Sequence, residues 1–167
     1  MGRFMVHLRG SLGRRSRRAL HGYLLRNGVF TSIDYPDSAT TDAGRTTDGS
    51  EIVGDRSTKA ALWGSQHSGA VHGYILRDGD FTSIDVPGAL LTSSREMNAS
   101  GQVVGIYLDK RFGEHGFVLA GGSYSGFDLP DAMWTDGNTI NDHGLIVGSY
   151  SDSAGVEHGF AASLKQE

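Results

Sequence analysis

The sequence predicts an all-β fold built from a recurring unit, and three observations carry that reading. His-Gly-aromatic recurs at His21-Gly22-Tyr23, His72-Gly73-Tyr74, His115-Gly116-Phe117 and His158-Gly159-Phe160. Asp34, Asp85 and Asp128 each lie 13 positions after the first three histidines, and Gly54, Gly105 and Gly148 each lie 33 positions after them. The chain has 25 Gly, only 3 Pro, and short runs of aromatic and β-branched residues, a composition that suits many short strands joined by tight turns. The last three histidines stand 43 residues apart, a period at which one supersecondary unit repeats.

Residues 1–20 follow the pattern poorly. They are basic, and a targeting peptide would be Arg-rich and acid-poor in the same way. A secretory signal needs a longer apolar core than Phe4-Met5-Val6, so no signal peptide is recognisable here. The favoured reading is a degenerate half-unit, because Gly10-Ser11 stands 11 positions before His21 as Gly148-Ser149 stands 10 before His158. The expectation is therefore a basic segment at 1–20 and a repeat domain at 21–167, with units starting at His21, His72, His115 and His158.

Within a unit four strands are expected, with 72–105 as template. The first runs from Gly73 to Arg77 and ends at the turn pair Asp78-Gly79. The second runs from Phe81 to Val86 and ends at Pro87-Gly88, because proline cannot continue a paired ladder. The third, Thr92 to Met97, carries the weakest pattern and leads into Asn98-Ala99-Ser100-Gly101. The fourth runs from Gln102 to Leu108. Tyr74-Ile75-Leu76 and Val103-Val104 are apolar runs rather than alternations, so both sheet faces should be covered. Four short strands per unit, covered on both sides, predict a partial β-propeller of about three to four four-stranded blades. The alternative is a β-solenoid, whose coils are usually shorter.

Here a family resemblance enters. His-Gly-aromatic-Leu-Leu, Phe-Thr-Ser-Ile-Asp-x-Pro-Gly, Ile-Asn-Asp-x-Gly and Ile-Val-Gly-x-Tyr, carried by His21 to Asp34, His72 to Tyr107, Ile140 to Tyr150 and His158 to Phe160, resemble the bacterial extracellular HAF repeats. The resemblance implies a secreted or cell-surface, propeller-like protein, and it brings no reaction with it. The first unit departs from the pattern. It has Thr47-Asp48-Gly49-Ser50 where an Asn-x-x-Gly turn is expected, and 18 positions from Gly54 to His72 where the later units have 10.

Charge and composition exclude several functions. Residues 1–33 hold seven Arg and no acid, whereas from Asp34 onward all 19 acids face only the remaining 8 of the 15 basic residues. An acidic body argues against nucleic-acid binding, which needs clustered Lys and Arg. The absence of cysteine removes disulfides, thiolate zinc sites and thiol nucleophiles. No stretch is apolar enough for a membrane helix, so no membrane insertion is expected.

The repeated His21, His72, His115 and His158 would lie around one axis in a propeller, where a ring of histidines is a conceivable metal site. A residue repeated in every unit more often serves packing or a backbone hydrogen bond, and the structural role is the one expected here. Asp34, Asp85 and Asp128 each stand two residues before a Pro and are expected to accept backbone N–H groups of the coming turn. Asn141-Asp142-His143-Gly144 and Asp152-Ser153-Ala154-Gly155 contain oxygen ligands, yet both lack the alternating acids of a calcium loop and read as Asx turns. No nucleophile elbow, phosphate loop or zinc-protease motif occurs, so no catalytic, cofactor or metal residue is assigned. The eight extra residues of the first unit fall between Arg56 and Val71 and include Leu62 and Trp63. Insertions in repeat proteins emerge as loops on one face, which makes these two the candidate contacts for a ligand or partner. The competing reading has them covering a sheet edge.

The function expected is a binding or structural module outside the cell, recognising a glycan or an extracellular protein. The rival is a propeller-type carbohydrate-active hydrolase or lyase, for which Glu51, Glu96 and Glu114 should converge in one cleft. Three units and a stub are fewer blades than a closed propeller needs. The chain is therefore expected to self-associate or to be part of a longer one.

Overall fold

A computed structural model of the chain describes residues 20–46, 51–58 and 70–164. These form thirteen strands in four antiparallel sheets, with no helix among the described residues. The first sheet pairs β1 (Gly22–Arg26) with β2 (Val29–Ile33). The second is a meander of β3 (Thr40–Thr46), β4 (Glu51–Ser57), β5 (Val71–Arg77) and β6 (Asp80–Ile84). The third repeats it with β7 (Leu91–Met97), β8 (Val103–Leu108), β9 (Glu114–Ala120) and β10 (Ser123–Phe127). The fourth holds β11 (Trp134–Ile140), β12 (Leu145–Ser151) and β13 (Glu157–Ser163). Apart from Leu20, the basic segment 1–20 lies outside the described residues.

Strand positions agree closely with the sequence, but their grouping does not. A sheet takes its third and fourth strands from one His-to-Val-Gly unit and its first two from the unit before, so units and sheets are half a period out of phase. The third strand, weakest in sequence, is a full seven residues in β3, β7 and β11. Each of these strands carries a bulge at the same place, at Gly44, Arg95 and Asn138.

Local chemistry explains the hairpins. Asn27-Gly28, Asp78-Gly79 and Gly121-Gly122 all have positive φ at both positions, the type I′ geometry whose twist matches the flanking strands. Asn98 and Asn141 close the other turns by accepting amide hydrogens two and four residues on, from Ser100 and Gln102 and from His143 and Leu145.

The sheets stack face to face in chain order and form three apolar layers. Ile33, Ala43, Ile52 and Tyr74 fill the first, with Leu24, Tyr35, Leu76 and Phe81 around them. Val53, Ile84, Met97, Val103 and Phe117 fill the second, and Val104, Val118, Ile140 and Ile146 the third. Equivalent positions recur: Tyr74 and Phe117 follow the repeated His-Gly pairs, and both are fully buried. Contact between sheets runs through β3, β4 and β5 against β7, and through β7, β8 and β9 against β11. The sheets therefore converge on their first strands.

Two edges result. The I′ and Asn turns occupy one. The other, the histidine edge, carries the connections 34–39, 85–90 and 128–133 between sheets and the loops 109–113 and 152–156 within them. Ser57 and Val71, which are paired, end β4 and begin β5 at the histidine edge.

Candidate functional site

Hairpin register assembles the histidine edge. Gly73 pairs with Ile84, so one residue further out His72 faces Asp85, and Nδ1 lies 2.5 Å from Oδ1. The same extension of register brings His21 Nδ1 to 2.5 Å from Asp34 and His115 Nδ1 to 2.9 Å from Asp128 Oδ2. The expected bonds from these carboxylates to the following turn are replaced by the imidazole bonds. The turn amides are served by a third repeated residue, which sequence reading passed over. Thr41, Thr92 and Thr135 accept from the N–H of Tyr35, Val86 and Leu129 at 2.9, 2.9 and 3.3 Å. All three threonines are buried, and each stands 20 positions after its His. That fixed spacing was the available signal.

The later loops add a second carboxylate. Asp109 accepts from Arg111 N and Gly113 N, both at 2.8 Å, and its Oδ2 lies 3.6 Å from His115 Nε2. His115 is thus held between Asp109 and Asp128, with Tyr107 stacked on its ring at 5.0 Å. Asp152 repeats the loop, with amide bonds of 2.9 Å from Ala154 and Val156, and accepts from His158 Nε2 at 2.8 Å while Tyr150 stacks on that ring. Arg56 takes the place of these tyrosines in the second sheet. Its guanidinium lies over the Tyr35 ring at 4.3 Å and donates to Ser83 Oγ at 3.2 Å.

The carboxylates respond to these partners. Hydrogen bonds from Ser32 and then His21 hold Asp34 below the usual carboxylate range. The Gly113 N–H does so chiefly for Asp109, and His158 for Asp152. Asp55 goes the other way. Desolvation between β4 and β7 pushes it up to about 6, although Ser93 Oγ and Ser94 N donate to it at 2.6 and 2.8 Å.

Of the exposed large apolar side chains among the described residues, Val29, Phe30, Leu145 and Val147 lie on strands and four others cluster on one edge. Leu90, Phe112, Met133 and Val156 all project from connections on the histidine edge. Phe112 is 76% exposed and has a left-handed φ of 66°. A bulky side chain is rarely found there. At the equivalent place in the 152–156 loop stands Gly155, with φ 78°. Both residues donate their N–H to the loop Asp carbonyl, Phe112 to Asp109 and Gly155 to Asp152. The chain accepts a strained backbone at Phe112 and displays the ring to solvent. Sequence reading missed this residue, and aligning the two loops would have found it.

Leu62 and Trp63 lie outside the described residues. The described ends narrow the insertion, because Arg56 and Ser57 complete β4 and Val71 opens β5. The glutamates do not converge. Glu51 opens β4 at the turn edge and is bound by Arg77; Glu96 accepts from Arg45 at 3.0 Å and from Thr139; and Glu114 opens β9 at the histidine edge. Among the described residues no three His, Asp or Glu are grouped as metal ligands. No protein-family model, curated protein or solved structure matches the chain.

Proposed function

We propose that the chain is a secreted or cell-surface binding module of propeller type, of the HAF-repeat kind that its sequence resembles, and that the histidine edge is its recognition surface. One observation carries the reading: Leu90, Phe112, Met133 and Val156 share the edge on which the His, Asp and Thr bonds fix the connections 34–39, 85–90, 109–113, 128–133 and 152–156. A rigid frame that displays apolar side chains on loops loses little entropy when a partner covers them. The strained Phe112 is the residue whose exposure has a cost, and strain kept at a surface loop marks function. The convergence of the sheets on β3, β7 and β11 supports the propeller architecture over a solenoid. The partner is a glycan or an extracellular protein.

The dispersal of Glu51, Glu96 and Glu114 weighs against the hydrolase or lyase reading. Arrays of glycans and extracellular proteins, probed with the wild type and with Phe112→Ser and Met133→Ser, test the proposal. Binding that both substitutions weaken supports it. Binding that neither alters, or release of reducing ends from a bound glycan, overturns it.

A further inference from the structure

The two ends of the sheet stack match each other. On the face that the second sheet turns to the third, Val53 is 0% exposed and packs in one cluster with Phe117 and Ile75. On the corresponding face of the third, Val104 is 0% exposed and Val118 is buried, in the cluster that includes Phe160. On the fourth sheet the equivalents are Val147 and Ala161, and Val147 is 42% exposed. Among the described residues Val147 belongs to none of the three apolar layers, and the two interior junctions show what such a face accepts, which is the opposite face of another sheet of this chain.

That opposite face is defined equally well. Tyr74, Leu76 and Phe81 of the second sheet lie in the first apolar layer, and Phe117, Leu119 and Tyr124 of the third lie in the second. Their equivalents on the first sheet are Tyr23, Leu25 and Phe30. The Tyr23 and Phe30 rings stand 5.5 Å apart, much as Tyr74 and Phe81 stand 5.3 Å apart inside the core. Phe30, however, is 59% exposed.

We propose that the outer face of the fourth sheet receives the first sheet of a second copy of this chain, so that copies associate head to tail. The contact would pair the faces that meet at the interior junctions, with the β1–β2 hairpin standing where β9 and β10 stand. The strands β7 and β11, which carry the interior contacts, have no counterpart among the described residues of the first sheet. The face is apolar in the register that this partner needs, with Val147 toward Tyr23 and Phe30 as Val53 is toward Phe117 and Tyr124. A heterologous contact of this kind either closes a ring or propagates. With four sheets among the described residues of each chain, two copies would close a ring of eight, within the range of known propellers. The inference needs only the stacking of sheets and is independent of the recognition surface proposed above.

Sedimentation equilibrium of the purified full chain, with Val147→Lys and Phe30→Lys, tests it. Both side chains are exposed, so neither lysine enters the core, and an unchanged melting profile checks this. The wild type should have a concentration-dependent mass of two chains or more. Each single variant should associate about tenfold or more weakly, as expected for a lysine desolvated at a contact. A mixture of the two variants should regain a two-chain species, since each retains the face the other has lost. A wild type monomeric at millimolar concentration overturns the proposal. So do single variants that associate as the wild type does, and a mixture that stays monomeric while the wild type associates.

Discussion

Phe112 offers a direct test of whether a stability cost has been accepted for surface display. Replacing it with Gly removes the left-handed strain, which costs an L-residue about 1 to 2 kcal/mol. Little packing is lost, because the side chain is 76% exposed. Glycine adds unfolded-chain entropy worth about 0.5 to 1 kcal/mol against folding. The net expectation is a variant more stable by about 0.5 to 1 kcal/mol, or about 2 °C in Tm for a chain of this size. Phe112→Ala separates the contributions. It keeps the strained backbone and removes the ring, so its stability should stay near that of the wild type. The reciprocal Gly155→Phe should lose about as much as Phe112→Gly gains, since Gly155 has φ 78° in the equivalent loop. Urea unfolding with linear extrapolation measures all three. A less stable Phe112→Gly would mean that the ring packs more than its exposure indicates, and would remove the strain argument for function.

Three further outcomes follow from the bonds described. Thr92→Val removes the acceptor of the Val86 N–H and should cost about 1 to 3 kcal/mol in denaturant unfolding; Thr135→Val should cost less, because its bond is longer at 3.3 Å. His72→Ala or His115→Ala should lower stability by about 1 kcal/mol, a modest figure because the partner carboxylates are half exposed, and unchanged stability with stoichiometric zinc in the wild type would refute a structural role. Asp55 has a folded-state pKa raised to about 6, so the folded state binds a proton more tightly than the unfolded one. Its contribution is fully present below about pH 4 and is lost as pH rises through 6, up to roughly 3 kcal/mol. Asp34, with its lowered pKa, acts in the opposite sense and loses its contribution only as pH falls below the usual carboxylate range. Asp55→Asn should flatten the fall in stability between pH 4 and 6, and an unchanged slope would exclude Asp55 as its source.

Much of this architecture was legible because it is local. Asp78-Gly79 and Asn27-Gly28 dictate two-residue hairpins, and prolines end the strands before them. The grouping of strands was not legible, because a period of 43 fixes the repeat but not its phase. The same spacings result whether a sheet begins at the His strand or two strands later, and only the pairing of β4 with β5 decides. The His–Asp pairing was within reach. Once the two-residue turn at 78–79 is accepted, register runs outward from Arg77 and Asp80 to Gly73 and Ile84, and the next pair is His72 and Asp85. Asp55 was out of reach, since its burial depends on β7 of the next sheet, which supplies Ser93 and Ser94.

The departures from repetition divide by location, and the division has an energetic sense. Inside the stack, substitutions preserve apolar volume: Val53 and Val104 are identical, Tyr74 becomes Phe117, and Ile75 becomes Val118. At the outer face Val147 is retained, but Ala161 stands where Ile75 and Val118 stand within the stack. An alanine in place of isoleucine gives up about three methylenes, or about 2 kcal/mol of burial at that position. The proposed junction between copies would therefore be a weakened form of the interior ones, strong in pattern and poor in area. A face with the full interior complement would bind its partner nearly irreversibly and invite aggregation of the unfolded chain. One with Val147 alone at full size is suited to the reversible, concentration-dependent assembly proposed above, while the cooperative interior is left to hold the histidine edge in place.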